Sequence, residues 1–253
     1  MSFKNNKIYK RGSALYRLLH FYFTVNWIKT IYFNFKKFPF SVAKKFPVFF
    51  YGNVKFQNIS GSVKIEGEIR KGMIGFGQSY EINTLEKGIA EIVIAGELVF
   101  RGNFQFGKDY FLYVSKNAYC ELGHMSSLGG SSKLICTQKI VLGNYARIGS
   151  ESQIVDTNYH DLIDTKSKKV LLKSAPILIG NYNFVSTRVT VFKGTVTPDH
   201  CIIASNSLCT KDYFVLGENV MIGGVPAKLI RENVNRDWEG EKQQLHDYLN
   251  CFK

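Results

Sequence analysis

The stretch IGNYNFVSTRVTVFKGTVTPDHCIIASNSLC, residues 179 to 209, steps by six through Ile179, Val185, Val191, Thr197, Ile203 and Cys209. Five of these positions are apolar and Thr197 is small and β-branched. An α-helix, with its period of about 3.6, would scatter such residues around its axis. Upstream, Ile92, Leu98, Phe104, Tyr110, Lys116, Leu122, Leu128, Leu134 and Ile140 keep the step, with Lys116 the one polar member. Leu142, Ile148 and Ile154 resume it after a slip of two residues, and Gly123, Gly129, Gly143, Gly149 and Gly180 each directly follow one of these residues. Apolar-Gly-x-x-x-x is the hexad of a parallel β-helix. Each hexad supplies a short strand and a corner, three make a coil of about 18 residues, and the aliphatic side chain points into a triangular prism. Small residues relieve the corners, and each strand pairs with the coils above and below, so the ends need caps. An antiparallel sheet also tolerates a period of six, a multiple of two; the glycines and the sustained phase favour the coil.

Around this repeat the chain divides into a basic aromatic segment at 1–50, the β-helix at 51–230 and a tail at 231–253. Less regular β-structure is expected from Tyr51 to about Ala90. In the tail, Leu245, Tyr248, Leu249 and Phe252 recur at helical spacing, a short amphipathic helix suited to capping the prism. With 253 residues, 45% hydrophobic and 21% charged, 20 Phe, 14 Tyr and 5 Pro, the composition excludes a disordered or collagen-like chain. Cys120, Cys136, Cys201, Cys209 and Cys251 form no CxxC and leave one over, so neither a disulfide framework nor a zinc ribbon is written here. A reducing, cytoplasmic compartment is expected. Cys209 on the inward phase, and Cys201 in alternation with Ile203, read as core.

The net charge of +13 is uneven: residues 1–50 hold ten Lys or Arg and no acid, which leaves +3 for the rest. The segment's longest stretch without Lys or Arg, Leu18 to Ile28, falls short of the roughly 20 residues that cross a bilayer. A secretory signal is not expected either. Leu15, Leu18, Tyr22, Val25 and Ile28 recur at helical spacing while Arg17, His20, Thr24 and Lys29 fall elsewhere around the turn. Such a helix suits either peripheral contact with an anionic membrane or packing on the protein's own body. No nucleic-acid recognition motif accompanies the charge.

The text ILIGNYNFVSTRVTVFKGTVTPDHCIIASNSLCTKDYFVLGENVMIGGVPAKLIRE, residues 177–232, contains Ser207-x-x-Thr210-Lys211-Asp212 and Gly224-x-Pro226-Ala227-Lys228. It resembles the closing segment of hexapeptide-repeat acyltransferases. With QIVDTNYHDLID at 153–164 the chain is similar to the sugar and polysaccharide O-acetyltransferases of capsule and lipopolysaccharide synthesis, over about residues 120–235. GMIGFG, after the aromatic N-terminus, is similar to that subgroup. Departures are Phe184 where the family has Trp, Ser186 for Gly, and Ala204-Ser205-Asn206 for Gly-Ala-Gly. The resemblance implies an all-β, left-handed parallel β-helix, a homotrimer with sites at subunit interfaces, and acetyl-CoA as co-substrate with a sugar or glycan acceptor.

The hexads break between Ile154 and Ile179, ejecting a loop at 155–178, and loops on rigid scaffolds carry function. On it stands His160 within Asp156-x-x-x-His160-Asp161-x-x-Asp164. The resemblance implies that His160 is the general base, for which an imidazole with a pKa near about 6.5 is suited. Asp156 or Asp161 is expected to hold the other ring nitrogen. His20, His124, His200 and His246 read as structural or exposed. The resemblance places coenzyme A along Thr187, Ser205, Thr210, Lys211, Lys228 and Arg231, and the last three cations suit its phosphates. A zinc site of the γ-class carbonic anhydrases, from His124, His160 and His200, would need two His five apart, which the chain lacks, so no metal is expected. A nucleotidyltransferase would need a Gly-rich nucleotide domain ahead of the coil. A non-catalytic β-helical scaffold and an N-acetyltransferase of an amino sugar are the alternatives.

Overall fold

The computed structural model describes residues 22–78 and 88–249. Apart from one two-stranded hairpin, its described strands form three ladders. Face one stacks β1 (Val48–Phe50), β4 (Ile74–Phe76), β7 (Phe104–Phe106), β10 (Ser126–Leu128), β13 (Arg147–Ile148), β18 (Phe184–Val185), β20 (Ile202–Ile203), β22 (Val220–Gly224) and β23 (Ala227–Glu232). Face two holds β2 (Val54–Asn58), β5 (Ala90–Ile94), β8 (Phe111–Val114), β11 (Lys133–Cys136), β14 (Gln153–Val155), β19 (Thr190–Phe192) and β21 (Leu208–Cys209). Face three holds β3 (Ser62–Ile65), β6 (Glu97–Phe100), β9 (Tyr119–Leu122), β12 (Lys139–Leu142) and β17 (Ile177–Ile179), continued by single bridges through Val196 and Asp212. The chain passes from face one to two to three and round again. This is the left-handed parallel β-helix expected.

All six hexad residues from Ile179 to Cys209 are buried, and so are the eight apolar members of the upstream series. Lys116 is exposed. The 18-residue coil holds only near the C-terminal end, where Val185 lies opposite Ile203. Earlier coils are longer: Leu134 lies opposite Ile154, 20 residues on, and Leu112 opposite Leu134, 22 on. The extra residues widen the corners, as at Lys116-Asn117, where Asn117 takes φ 67°.

Glycine serves the stack differently from the expectation. The left-handed corner residues on the edge between faces three and one include Met125, Tyr145, Tyr182 and His200, at φ 59°, 58°, 52° and 55°. The neighbouring glycines are needed for space: a Cβ on Gly143 would lie 2.6 Å from the Asn181 nitrogen, and one on Gly180 would lie 2.4 Å from the Pro198 oxygen.

The coil begins earlier than expected, since β1 to β4 already pair in the ladders that continue through the later coils. Phenylalanine fills this end. Phe50 stacks on Phe76 at 4.8 Å and Phe76 on Phe106 at 4.3 Å, before the core turns aliphatic. Helix α1 (Trp27–Lys37) covers the first coil with Phe33, which packs on Phe50, Phe56 and Phe76. It also finishes the bare edge of β1. Thr30 Oγ1 accepts from the Phe50 N–H, while Asn34 accepts from the Val48 N–H and donates to the Val48 carbonyl. Unpaired strand groups are thus satisfied by side chains. A short helix, α2 (Phe40–Ala43), follows. Leu15, Arg17, Leu18 and His20 lie outside the described residues.

At the other end the antiparallel β22–β23 pair closes face one. The C-terminal helix α3 (Trp238–Leu249), expected as the cap, instead lies on the prism's side. There Tyr145, Tyr182 and His200 form a ring stack at 4.9 and 5.0 Å. Trp238 meets Tyr182 edge-on, and His246 Nε2 sits 3.4 Å from the Tyr145 hydroxyl. Phe252 lies outside the described residues.

Candidate active site

The ejected loop leaves β14 on the edge between faces two and three. Its neck is built around Asp156, whose side chain is fully buried. One carboxylate oxygen accepts from the Thr137 N–H and hydroxyl, at 2.7 and 2.8 Å. The other accepts from the Gln138 and Lys139 N–H groups at 2.8 and 3.0 Å. Four donors saturate the carboxylate, so Asp156 is not the partner of His160 that the sequence suggested; it ties the loop to the preceding coil. Thr157 bridges Ser174 antiparallel, and the Ser174 hydroxyl donates to Thr157 Oγ1 at 2.9 Å.

Beyond this neck Tyr159 takes φ 63°, a left-handed conformation uncommon outside glycine. It launches an arm with a small hairpin, β15 (Leu162–Ile163) against β16 (Val170–Leu171). Asp164 holds the tip by accepting from the Ser167 and Lys166 N–H groups, and these bonds set its carboxyl below the usual range. His160 and Asp161 stand exposed at the arm's base. Among the described residues neither side chain has a hydrogen-bond partner, which leaves both free to meet a ligand.

Beneath the arm is a cleft of about 560 Å³ lined by Tyr113, Thr137, Gln138, Tyr159, Leu172 and Lys173, among others. Burial, then Tyr113 and Asp156, push the Tyr159 hydroxyl above its ordinary value. Sequence reading missed these residues. Tyr113 and Thr137 come from earlier coils; the outward position of Tyr113 on β8 would have marked it, while Thr137 lies just past the end of β11.

The expected coenzyme residues fall on two edges. Thr187 and Ser205 meet on the edge between faces one and two, with hydroxyls 3.4 Å apart. Lys228, opposite Gly223 on the β22–β23 pair, lies toward the same edge, and Arg231 is three residues further along that strand. Thr210 and Lys211 lie on the edge that carries the arm, where the Val196 N–H bonds the Lys211 carbonyl. Lys211 Nζ sits 5.5 Å over the Tyr213 ring. Within one chain, face two therefore separates His160 from Thr187 and Ser205.

His124 and His200 sit on the third edge, away from His160. His124 Nδ1 accepts from the Asn103 N–H, and His200 Nδ1 lies 2.9 Å from Asn235 Nδ2. A second cleft, of about 520 Å³, opens beside His124 with Arg101, Glu121, Asn144 and Asn181. Among the described residues no group of three His, Cys, Asp or Glu is placed to hold a metal. Cys201 and Cys209 are fully buried, and burial pushes both thiols up to about 12. They are core, and not nucleophiles at neutral pH.

No family model matches the chain. A galactoside O-acetyltransferase of Escherichia coli (strain K12) is 38% identical over 64 residues, 25% of this chain and 30% of that protein. The match thus spans less than a third of the curated relative's length. Among solved structures, the polySia specific acetyltransferase NeuO is similar at 18% identity and TM-score 0.47, covering 82% of this chain and 88% of that one. A hexapeptide-repeat containing acetyltransferase of Vibrio cholerae, complexed with acetyl coenzyme A, is similar at 17% identity and TM-score 0.40. The coverage there is 54% of this chain and 68% of that one.

Proposed function

We propose that the chain is an acetyl-CoA-dependent O-acetyltransferase acting on a hydroxyl of a sugar in a cell-surface polysaccharide or its precursor. The observation that carries this reading is the neck at Asp156, which leaves His160 without a hydrogen-bond partner among the described residues, at the base of an arm on the prism edge. In the reaction the sugar oxygen attacks the thioester carbonyl carbon, His160 takes the hydroxyl proton, the C–S bond breaks, and the proton passes to the departing sulfur. No covalent enzyme intermediate is needed. Asp161, adjacent and unpartnered among the described residues, is the carboxylate able to orient the imidazole once a ligand closes the site; Asp156 acts by positioning the loop. Lys211, Lys228 and Arg231 suit the phosphates of coenzyme A, and Thr187 with Ser205 suits its pantetheine arm. Because face two separates these groups in one chain, the reading includes a homotrimer in which one chain's arm faces the Thr187–Ser205 edge of the next. The polysialic acid and galactoside acetyltransferases similar to this chain favour a glycan acceptor and an oxygen nucleophile.

The test is calorimetric titration of acetyl-CoA into the protein and into a Lys211→Ala, Lys228→Ala variant, followed by an acceptor screen reading thiol release. Saturable binding that weakens in the double variant is expected. His160→Ala should lower turnover by about 10²- to 10⁴-fold with acetyl-CoA affinity retained. A folded protein that fails to bind millimolar acetyl-CoA would instead be the non-catalytic scaffold.

A further inference from the structure

Helix α1 is amphipathic in an inverted sense. Its inward face carries Thr30 and Asn34, both fully buried, together with Phe33. The opposite face carries Ile28, Ile31, Tyr32 and Phe35, spaced 3, 4 and 7 from the first, and exposed by 81%, 46%, 52% and 45%. The inward polarity has a cause, the edge of β1 that Thr30 and Asn34 complete. Nothing in that role calls for apolar residues outside, where solvated helices carry charge. Tyr22, Phe23 and Phe40 extend the exposed patch, at 60%, 81% and 71%.

The surrounding charge is of one sign. Residues 22–50 contain Lys29, Lys36, Lys37, Lys44 and Lys45 and no acidic residue. On a helical turn Lys29 and Lys36 fall together along one side of the stripe, Lys29 with its Nζ 4.7 Å over the Phe56 ring, and Lys36, Lys44 and Lys45 are exposed. Lys37 is committed inward, donating to the Ile59 and Gly61 carbonyls. No described helix is long and apolar enough to cross a membrane. A short helix with an outward apolar and aromatic stripe rimmed by lysines has the chemistry of a segment lying in the headgroup region of an anionic bilayer. Aromatic rings favour that interface, and lysines there meet lipid phosphates.

We propose that the outward face of α1, with Tyr22, Phe23 and Phe40, is a docking surface for an anionic lipid membrane. It lies on the cap of the β-helix and is independent of the chemistry assigned to His160. In a cyclic assembly of parallel prisms all such caps share one end, so several stripes would meet one bilayer together and bind with avidity.

The full chain is sedimented with vesicles of phosphatidylcholine alone and of phosphatidylcholine mixed with phosphatidylglycerol. Two variants accompany it, Ile28→Gln with Phe35→Gln, and Lys36→Gln with Lys44→Gln and Lys45→Gln. All five positions are exposed, and melting curves check that the variants fold. The wild type should pellet with the anionic vesicles, less so as salt rises and weakly with phosphatidylcholine alone. Each variant should bind the anionic vesicles about tenfold or more weakly. Wild type left in the supernatant at low salt overturns the proposal, as does unchanged binding by the Ile28, Phe35 variant, which would move the lipid contact elsewhere, residues 1–21 included. A drop in that variant's oligomeric mass by light scattering, without vesicle binding by the wild type, would make the stripe a contact between copies. Acetyl-CoA titration without lipid tests the enzymatic reading separately.

Discussion

Asp156 and His160 are four residues apart, yet their surroundings assign them different work. Asp156 is encased by the N–H groups of Thr137, Gln138 and Lys139 and by the Thr137 hydroxyl; His160 stands in the open. In Asp156→Asn the amide nitrogen cannot accept, so two of these donors lose their acceptor at a cost of about 2 kcal/mol or more. Urea unfolding should show that loss, and an unchanged midpoint would deny Asp156 its anchoring role. His124 offers a pH test. Burial first, then Arg70 and His246, hold its imidazole below the ordinary 6.5. A base with a depressed folded pKa contributes stability that is fully present above its unfolded value and is lost as pH falls, because the unfolded chain takes the proton more readily. His124→Asn keeps an acceptor near the Asn103 N–H. The wild type's stability relative to this variant should therefore fall as the pH drops through the ordinary imidazole value of about 6.5, and a gap independent of pH would refute the assignment.

At the scale of elements, the ends of the solenoid are its vulnerable points, since an open coil presents unpaired strand groups. Helix α1 solves this with Thr30 and Asn34. Asn34→Leu removes the partners of the Val48 N–H and carbonyl inside a buried site, and about 2 kcal/mol of destabilisation is expected. Thermal unfolding measures it, and light scattering reads the aggregation that a bared edge invites. A stable, monodisperse variant would show that Asn34 is dispensable. The arm is the second such element. Its neck is zipped by Thr157 and Ser174, but its hairpin exposes Leu162, Ile163, Val170 and Leu171. About half or more of each of these side chains stays exposed among the described residues, which accords with an arm that faces a second copy.

For the whole molecule, the proposed site draws on two prism edges, and one chain cannot bring them together across face two. Two inactive forms should therefore repair each other. A His160→Ala chain co-refolded with a Thr187→Val, Lys228→Ala chain is expected to recover activity that neither has alone, read as thiol release from acetyl-CoA. Recovery no greater than the sum of the parents would place all the groups of each site within one chain.

The sequence by itself determined the repeat and much of the core, because burial along a β-helix depends on a short period that can be counted: every hexad residue from Ile179 to Cys209 is inside. It also marked the ejected loop, since the phase breaks after Ile154, although Val155, Ile177 and Leu178 of the expected 155–178 stay on strands β14 and β17. Tertiary structure decided what depends on neighbours a coil or more away. It buried Asp156 under Thr137, turned Thr30 and Asn34 of α1 inward to meet β1, and laid α3 on the Tyr145–Tyr182–His200 stack instead of the prism's end. It lengthened the early coils to 20 and 22 residues, and it placed Lys211 and Thr187 on different edges. Periodicity is local and survives in one dimension. The partners of a carboxylate or of a strand edge are chosen by stacking, which brings together residues far apart in the chain.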